Sequence, residues 1–333
     1  MGGVAMVSAV CAMIAGGMAC GPDESLPPAS PDRDLVHVAV SIPPQAYFVR
    51  RVGGGHVTVT VLLPPGRSPA TYEPSPRLLA ALERADVYFR IGVPFEARLV
   101  EKAAAIYPKL PIVDISQDIP RRRMREAHEH EERSGVSPPH LDAAGRVPAD
   151  PHVWLDPNNV RVMARTIHRT LCKLAPAHRK NFDRNLAAFD AELRELDGRI
   201  RHLLKGCRGK ALFVFHPAYG YLADRYGLIQ VAVEPAGKSP GSRTLASLLE
   251  RIRRAGARVI FVQPQFSRRR AETIARAVGA RIDELDPLAE DYAENMVRMA
   301  GKISQALCPP ASRPASQIGP SAIRIRPARG DAP

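Results

Sequence analysis

The sequence has little of what marks a nucleic-acid binder, a membrane-spanning protein or a metalloenzyme. Aromatic residues make up only 5% of its 333 positions, and tryptophan occurs once, at Trp154. The formal charge is +13, yet no basic run is interleaved with aromatics, the pattern that tracks a phosphate backbone and stacks bases. The arginines are scattered along helices as a solvated surface, and nucleic acid is excluded as a partner. No His-Glu-x-x-His motif occurs. The nearest run, His128-Glu129-His130-Glu131, lacks the spacing that sets two imidazoles on one helical face. Cysteine is scarce, with five in the chain and none in a Cys-x-x-Cys pair or beside a histidine, so a thiolate metal site is excluded. The apolar stretch from Val4 to Ala19 is too short to anchor a chain permanently in a bilayer, and it reads as the core of an export signal.

Cys20 follows Gly17-Met18-Ala19, small residues of the kind found before a lipoprotein processing site, although Gly17 stands where a branched aliphatic residue is preferred. Residues 1–20 are read as a lipoprotein signal and 21–34 as a flexible tether, because Leu26-Pro27-Pro28-Ala29-Ser30-Pro31 is too proline-rich to fold. The expected location is the periplasm or cell surface, with a lipid on Cys20 holding the protein to a membrane; a soluble secreted form is the alternative. Cys11 lies within the signal, which leaves Cys172, Cys207 and Cys308. An odd number cannot all pair, and one disulfide plus one buried thiol is expected, with the pair left open.

From Val36 onward short β-branched runs alternate with amphipathic segments. Val36 to Ile42, Val57 to Leu63, Val87 to Ile91 and Ile112 to Ile115 read as strands, and Arg77 to Ala85 and Phe95 to Tyr107 as helices. The alternation predicts an α/β lobe with mainly parallel strands over residues 35–175. Residues 117–149 break the pattern with a charged, proline-containing loop that carries His128, His130 and His140. Asn158 is the expected cap of a helix reaching Leu174. Phe182, Leu186, Phe189, Leu193, Leu196, Ile200 and Leu203 then recur in steps of four and three, which predicts one straight helix over 176–206. At about 1.5 Å per residue it is roughly 40 Å long and suits a strut joining two lobes. The α/β alternation restarts over 207–308. Strands are expected at Ala211 to Phe215, Ile229 to Val233, Val259 to Val262 and Arg281 to Leu285, with helices at Tyr219 to Tyr226, Thr244 to Ala255, Arg269 to Val278 and Asp291 to Leu307. Residues 309–333 are rich in proline and arginine without periodicity and are expected to be disordered.

In parallel α/β sheets ligands bind beyond the carboxyl ends of strands. His216, Gln263 and Asp286 each follow such a strand, and their loops are expected to open on one face of the second lobe. His152 lies in Asp150-Pro151-His152-Val153-Trp154-Leu155-Asp156-Pro157, held extended by two prolines. A lone histidine is most often structural. Two histidines and an aspartate, His152, His216 and Asp286, at strand-end or proline-fixed positions make a metal site the better reading, with imidazole favouring zinc over manganese, magnesium or calcium.

The stretches Leu62-Leu63-Pro64-Pro65-Gly66, Thr71-Tyr72-Glu73-Pro74, Asp150 to Pro157, Phe215-His216-Pro217-Ala218-Tyr219-Gly220-Tyr221, Ile260-Phe261-Val262-Gln263-Pro264-Gln265-Phe266-Ser267 and Leu285-Asp286-Pro287-Leu288 carry a specific resemblance. Over nearly all of Val36 to Leu307 the sequence resembles the zinc- and manganese-binding receptors of ABC importers, the ZnuA/TroA-like group. The resemblance implies a monomeric, non-enzymatic extracytoplasmic receptor that hands its metal to a membrane permease. It also implies His152, His216 and Asp286 as ligands, zinc rather than manganese because manganese-type members usually carry glutamate at the position of His216, and Gln263 and Glu73 as residues supporting the ligands or their loop. Two positions depart from the group. Ala70 stands where a first histidine ligand is usual, and Gln263 where a glutamate is common. Three accounts of the missing ligand are open: water completes the coordination, a loop histidine such as His140, His130 or His128 swings in, or metal binding has been lost; the first two are favoured. Two alternatives are a hydrolase using an open zinc position and a metal-binding surface adhesin using the same fold.

Overall fold

Valine-rich runs build two four-stranded sheets. The computed structural model describes residues 35–124, 149–233, 246, 249–250, 252–254 and 256–309. The export signal, the tether, Cys20, His128, His130, His140 and the tail from residue 310 lie outside the described residues. In the first lobe β1 (Val36–Val40), β2 (Val57–Val61), β3 (Val87–Arg90) and β4 (Ile112–Asp114) pair in the order β2-β1-β3-β4. In the second, β5 (Ala211–Val214), β6 (Ile229–Ala232), β7 (Val259–Val262) and β8 (Arg281–Glu284) repeat that order as β6-β5-β7-β8. Every pairing is parallel. Central β7 is buried along its whole length whereas edge strand β2 alternates, the difference expected between a strand covered on both faces and one at a rim.

The helices are α1 (Pro43–Gly53), α2 (Pro76–Ala80), α3 (Glu96–Ile106), α4 (Pro157–Leu174), α5 (Arg179–Leu204), α6 (Gly220–Tyr226), α7 (Arg268–Val278) and α8 (Tyr292–Leu307). Three sequence expectations need correction. Helix α1 is not among the helices read from the sequence; in the fold Pro43 and Pro44 occupy its first turn, where a missing N–H costs nothing. The helix expected over Arg77 to Ala85 ends at Ala80 and continues as turns. The cap of α4 is Asp156, whose carboxylate accepts the Asn158 backbone N–H at 2.8 Å, and not Asn158 itself.

Helix α5 spans 26 residues and buries Phe182, Phe189, Leu193, Leu196, Ile200 and Leu204. It packs against α1 and α4 of the first lobe and against α8 of the second, inside one continuous apolar core. Each such buried side chain contributes about 1.5–3 kcal/mol, against about 0.3–0.5 kcal/mol for an exposed helical ion pair such as Arg201–Asp197. Apolar burial, not surface charge, joins the lobes. The second face of the β5–β8 sheet is covered separately by a smaller cluster around Phe213, Ile252, Ile260 and Ala275. Among the described residues no helix is long and apolar enough to cross a membrane. Cys207 and Cys308 form the disulfide, fastening the end of α8 to the turn after α5, and Cys172 is the buried free thiol.

The carboxyl ends of β1 and β3, the switch point of the first sheet, are filled by the protein's own side chains. Gln45 Oε1 accepts the N–H groups of Ser41 and Ile42 at 2.9 and 3.0 Å. Glu96, only 1% exposed, accepts the N–H groups of Ile91 and Gly92 at 2.9 and 2.7 Å and the hydroxyl of Ser41. Gly92 holds a φ of 93°, which turns its N–H onto the carboxylate, a conformation that L side chains rarely adopt. Burial pushes the Glu96 carboxyl up to about 7 against the pull of these donors. The raised value means that the folded state binds the proton more tightly than the unfolded chain. Its stabilising contribution is therefore complete below the ordinary carboxyl range and is lost as pH rises through about 7. Urea titrations from pH 4 to 8 should show this decline in the parent and not in Glu96→Gln; parallel curves would refute the role given to Glu96.

Candidate metal centre

His152 reaches the cleft on a segment that the fold fixes from both sides. Pro151 and Pro157 restrict the backbone, and the fully buried Trp154 donates Nε1–H to the carbonyl of Pro287 in the second lobe at 2.7 Å. Tyr292 on α8 donates its hydroxyl to the Trp154 carbonyl at 2.8 Å. The His152 ring engages Asp150 through Nδ1, 2.8 Å from Oδ1, and the same oxygen accepts the His152 backbone N–H at 3.0 Å. With Nδ1–H on the carboxylate, Nε2 is the nitrogen left to bind a ligand, the carboxylate–histidine arrangement that orients metal-binding imidazoles. Asp150 is itself held by Arg122 at 2.6 Å, and Arg122 also pairs with Asp224 at 2.9 Å. Burial opposes ionisation of Asp150, but hydrogen bonds from His152 and Arg122 outweigh it and hold the carboxyl below its usual range.

His216 follows β5 at the switch point of the second sheet, where the chain leaves between strands that continue to opposite sides. Its ring lies 5.5 Å from that of His152, centroid to centroid, and stacks on Phe266 at 4.9 Å. It is 4% exposed, and its Nδ1 has no hydrogen-bond partner among the described residues. Desolvation, aided by the neighbouring His152, pushes its pKa down to about 3, so the imidazole is neutral at physiological pH, the form that binds a metal. Gln263, after β7 and 3% exposed, has a second unpartnered atom, Oε1. Its amide hydrogen-bonds the Tyr219 side chain, whose own proton goes to the Leu285 carbonyl at 2.8 Å. Tyr219 can therefore only accept from Gln263, which assigns Nε2 to the tyrosine and leaves Oε1 facing the cleft.

Asp286 is positioned after β8 as expected, but its carboxylate is engaged: Oδ1 accepts Gln265 Nε2 at 3.0 Å and the Leu288 N–H at 2.9 Å. His152, His216 and Asp286 do not form a closed set, since the described residues contain one group of three such ligand atoms within 4.8 Å of one another, His168, Cys172 and Asp183 on α4 and α5. Glu73 does not reach the histidines. Its side chain is 84% exposed and faces Arg98 of α3 at 3.7 Å, a contact in keeping with support of its loop rather than with orienting a ligand. The cleft has a volume of about 240 Å³ and is lined from the first lobe by Ala70, Gly92 and His152 and from the second by His216, Gln263 and Leu288.

Two imidazoles converge from separate lobes, His152 tied through Nδ1 to Asp150 and His216 with an unpartnered Nδ1 among the described residues, a donor pair of the kind transition metals take. The family model for the zinc-uptake complex component A, periplasmic (ZnuA), matches residues 38–306. The chain belongs to this family. ZnuA-family proteins are binding components and not enzymes. Among the relatives, the high-affinity zinc uptake system protein ZnuA of Yersinia pestis is 29% identical over 263 residues, covering 75% of this chain and 82% of that protein. A crystal structure of ZnuA superposes with a TM-score of 0.73 at 36% identity, over 82% of this chain and 99% of that one. The solute-binding protein FpvC of Pseudomonas aeruginosa in complex with Mn2+ follows at a TM-score of 0.68 and 25% identity, over 82% and 98%.

Within this ZnuA fold, sequence reasoning missed the residues that hold His152. Asp150 stood in a quoted motif without a role, and Arg122 in a stretch read only as a loop. The described ends of that loop are ordered: Arg123 bridges Ala149, and the Asp150 N–H donates to the Arg122 carbonyl at 2.9 Å. Gly220 at the start of α6 makes this packing possible, because a Cβ there would run into the Arg122 guanidinium and lie 2.7 Å from Asp150 Oδ2. An aspartate two positions before a proline-fixed histidine was the signal available in the sequence.

Proposed function

We propose that this protein is an extracytoplasmic receptor that captures a divalent metal ion, zinc, in the cleft between its lobes and passes it to the membrane permease of an ABC importer. The observation that carries the reading is the pair of buried imidazoles, His152 and His216, brought within 5.5 Å from the two lobes, with the His216 Nδ1 unpartnered. Imidazole donors favour zinc over manganese. Asp286 is proposed as the third ligand; the loop histidines His128, His130 and His140 are proposed as a collecting segment. The same reading has the protein working as a single chain, held at the membrane by a lipid on Cys20. A hydrolase is disfavoured because Asp150, the carboxylate against His152, is engaged by His152 and Arg122 and is not left as a general base.

Calorimetric titration of metal-stripped protein should give one zinc site per chain and a weaker response to manganese. Ala70 lines the same cleft, so Ala70→His should add a donor. Spread over four ligands, the about 10–16 kcal/mol of a complete zinc site is roughly 3 kcal/mol each, and the variant should bind zinc about a hundredfold more tightly. Absence of any zinc binding in the parent, at any accessible concentration, would refute the receptor reading. No gain in Ala70→His would show that residue 70 does not face the metal.

A further inference from the structure

The cleft offers a metal too few donors and too much room. His152 and His216 supply two nitrogens, and a carboxylate oxygen of Asp286, whose Oδ1 accepts from Gln265 and Leu288, would make a third donor. The space around them is about 240 Å³, whereas one water needs on the order of 10–15 Å³. A lone water completing the tetrahedron would leave most of that volume beside side chains with little to offer more water: Ala70, Val93, Pro94, Phe266, Pro287 and Leu288. Gln263 Oε1 is a buried acceptor, locked in orientation by the chain from Tyr219 to the Leu285 carbonyl, with no donor among the described residues. An orphaned buried acceptor costs about 1–3 kcal/mol unless an incoming group supplies an N–H or O–H. Charge points the same way. Asp150 is already paired with Arg122, and imidazole donors bring a metal no negative charge, so the charge of a divalent ion would stay unmatched in a buried place.

The geometry points to zinc bound in this cleft as a chelate with one small amine-carboxylate molecule, a free amino acid, that completes the coordination in the space beside Ala70. The inference rests on the receptor reading above and names the form of its cargo. The carboxylate oxygen and the amine nitrogen of the amino acid fill the positions that the protein leaves open. The ammonium group of the free amino acid gives one proton to solvent as its lone pair takes up the metal, and a remaining N–H donates to Gln263 Oε1. The carboxylate offsets the metal charge, and the amino-acid side chain lies along the apolar wall. His152 and His216 hold the metal, whereas Gln263 selects the co-ligand without holding the metal.

The test is native mass spectrometry and competitive zinc titration on the metal-free protein at buffered free zinc, with zinc alone and with zinc plus glycine or L-histidine. A species of protein plus one zinc plus one amino acid is expected, with apparent zinc affinity raised at least tenfold over zinc alone. Gln263→Leu should lose most of that gain, read as the ratio of the variant's own zinc affinities with and without amino acid. Protein that binds zinc with unchanged affinity and no retained amino acid overturns the chelate and leaves the receptor reading standing. So does zinc binding that depends on His128, His130 and His140, shown by loss of affinity in the triple alanine variant without amino acid present. Failure to bind zinc under either condition overturns the receptor reading itself. A Gln263→Leu variant that retains the full gain overturns the role assigned to Gln263.

Discussion

Replacing His216 by alanine should lower zinc affinity by at least two orders of magnitude. The described protein brings two unengaged imidazole donors to the cleft, His152 and His216, and loss of either removes roughly 3 kcal/mol of the about 10–16 kcal/mol of a complete site. His216 is the more exacting of the two. Its environment, buried against Phe266 and next to His152, keeps it neutral and leaves Nδ1 without a partner. The metal would satisfy an atom that the apo fold leaves bare, so alanine removes both a ligand and the reason for that vacancy. Folding should survive, because the side chain lies at the cleft wall and its Nδ1 has no hydrogen-bond partner among the described residues. Zinc titration of the variant, with circular dichroism to confirm folding, decides the matter: a folded His216→Ala protein with the parent's zinc affinity would remove His216 from the site. Asp150→Asn should weaken binding less, since it loosens the orientation of His152 without removing a donor.

Replacing Cys207 and Cys308 by serine should cost about 4–5 kcal/mol, the entropy that a cross-link closing a loop of about 100 residues takes from the unfolded chain. The observed separation is 101 residues, long enough for the estimate to apply. For a chain of this size each kcal/mol moves the midpoint by about 2–4 °C, so the melting temperature should fall by roughly 10–15 °C. The loss should bear on the second lobe first, because the bond ties the end of α8 to the turn that leads into β5. Cys172→Ser is the control. Its thiol is not cross-linked, and burial pushes its pKa up, which keeps it protonated and unreactive. Alkylation of unfolded, unreduced protein should label Cys172 and leave Cys207 and Cys308 unmodified. Equal melting temperatures for parent and double variant would refute the stabilising role.

The sequence by itself determined the elements that a local pattern can specify. β-branched runs placed all eight strands, and steps of four and three along Phe182 to Leu203 placed α5, because one buried stripe on a helix forces that period. It also put His152, His216, Gln263 and Asp286 at strand ends or on a proline-fixed segment, where parallel sheets open their clefts. Only the tertiary structure decided what those residues can do. Asp286 is drawn to Gln265 and Leu288, Glu73 to Arg98, and Asp150 to His152 and Arg122. Asp150 and Arg122 lie 28 residues apart, and Trp154 reaches Pro287 across 133. Local periodicity carries no information about such pairings. Which cysteines join, which carboxylate is spent on a hydrogen bond and which imidazole nitrogen is left bare follow from how the two sheets are brought together over α5, since only packing decides which polar atoms lose water and which of them find a partner.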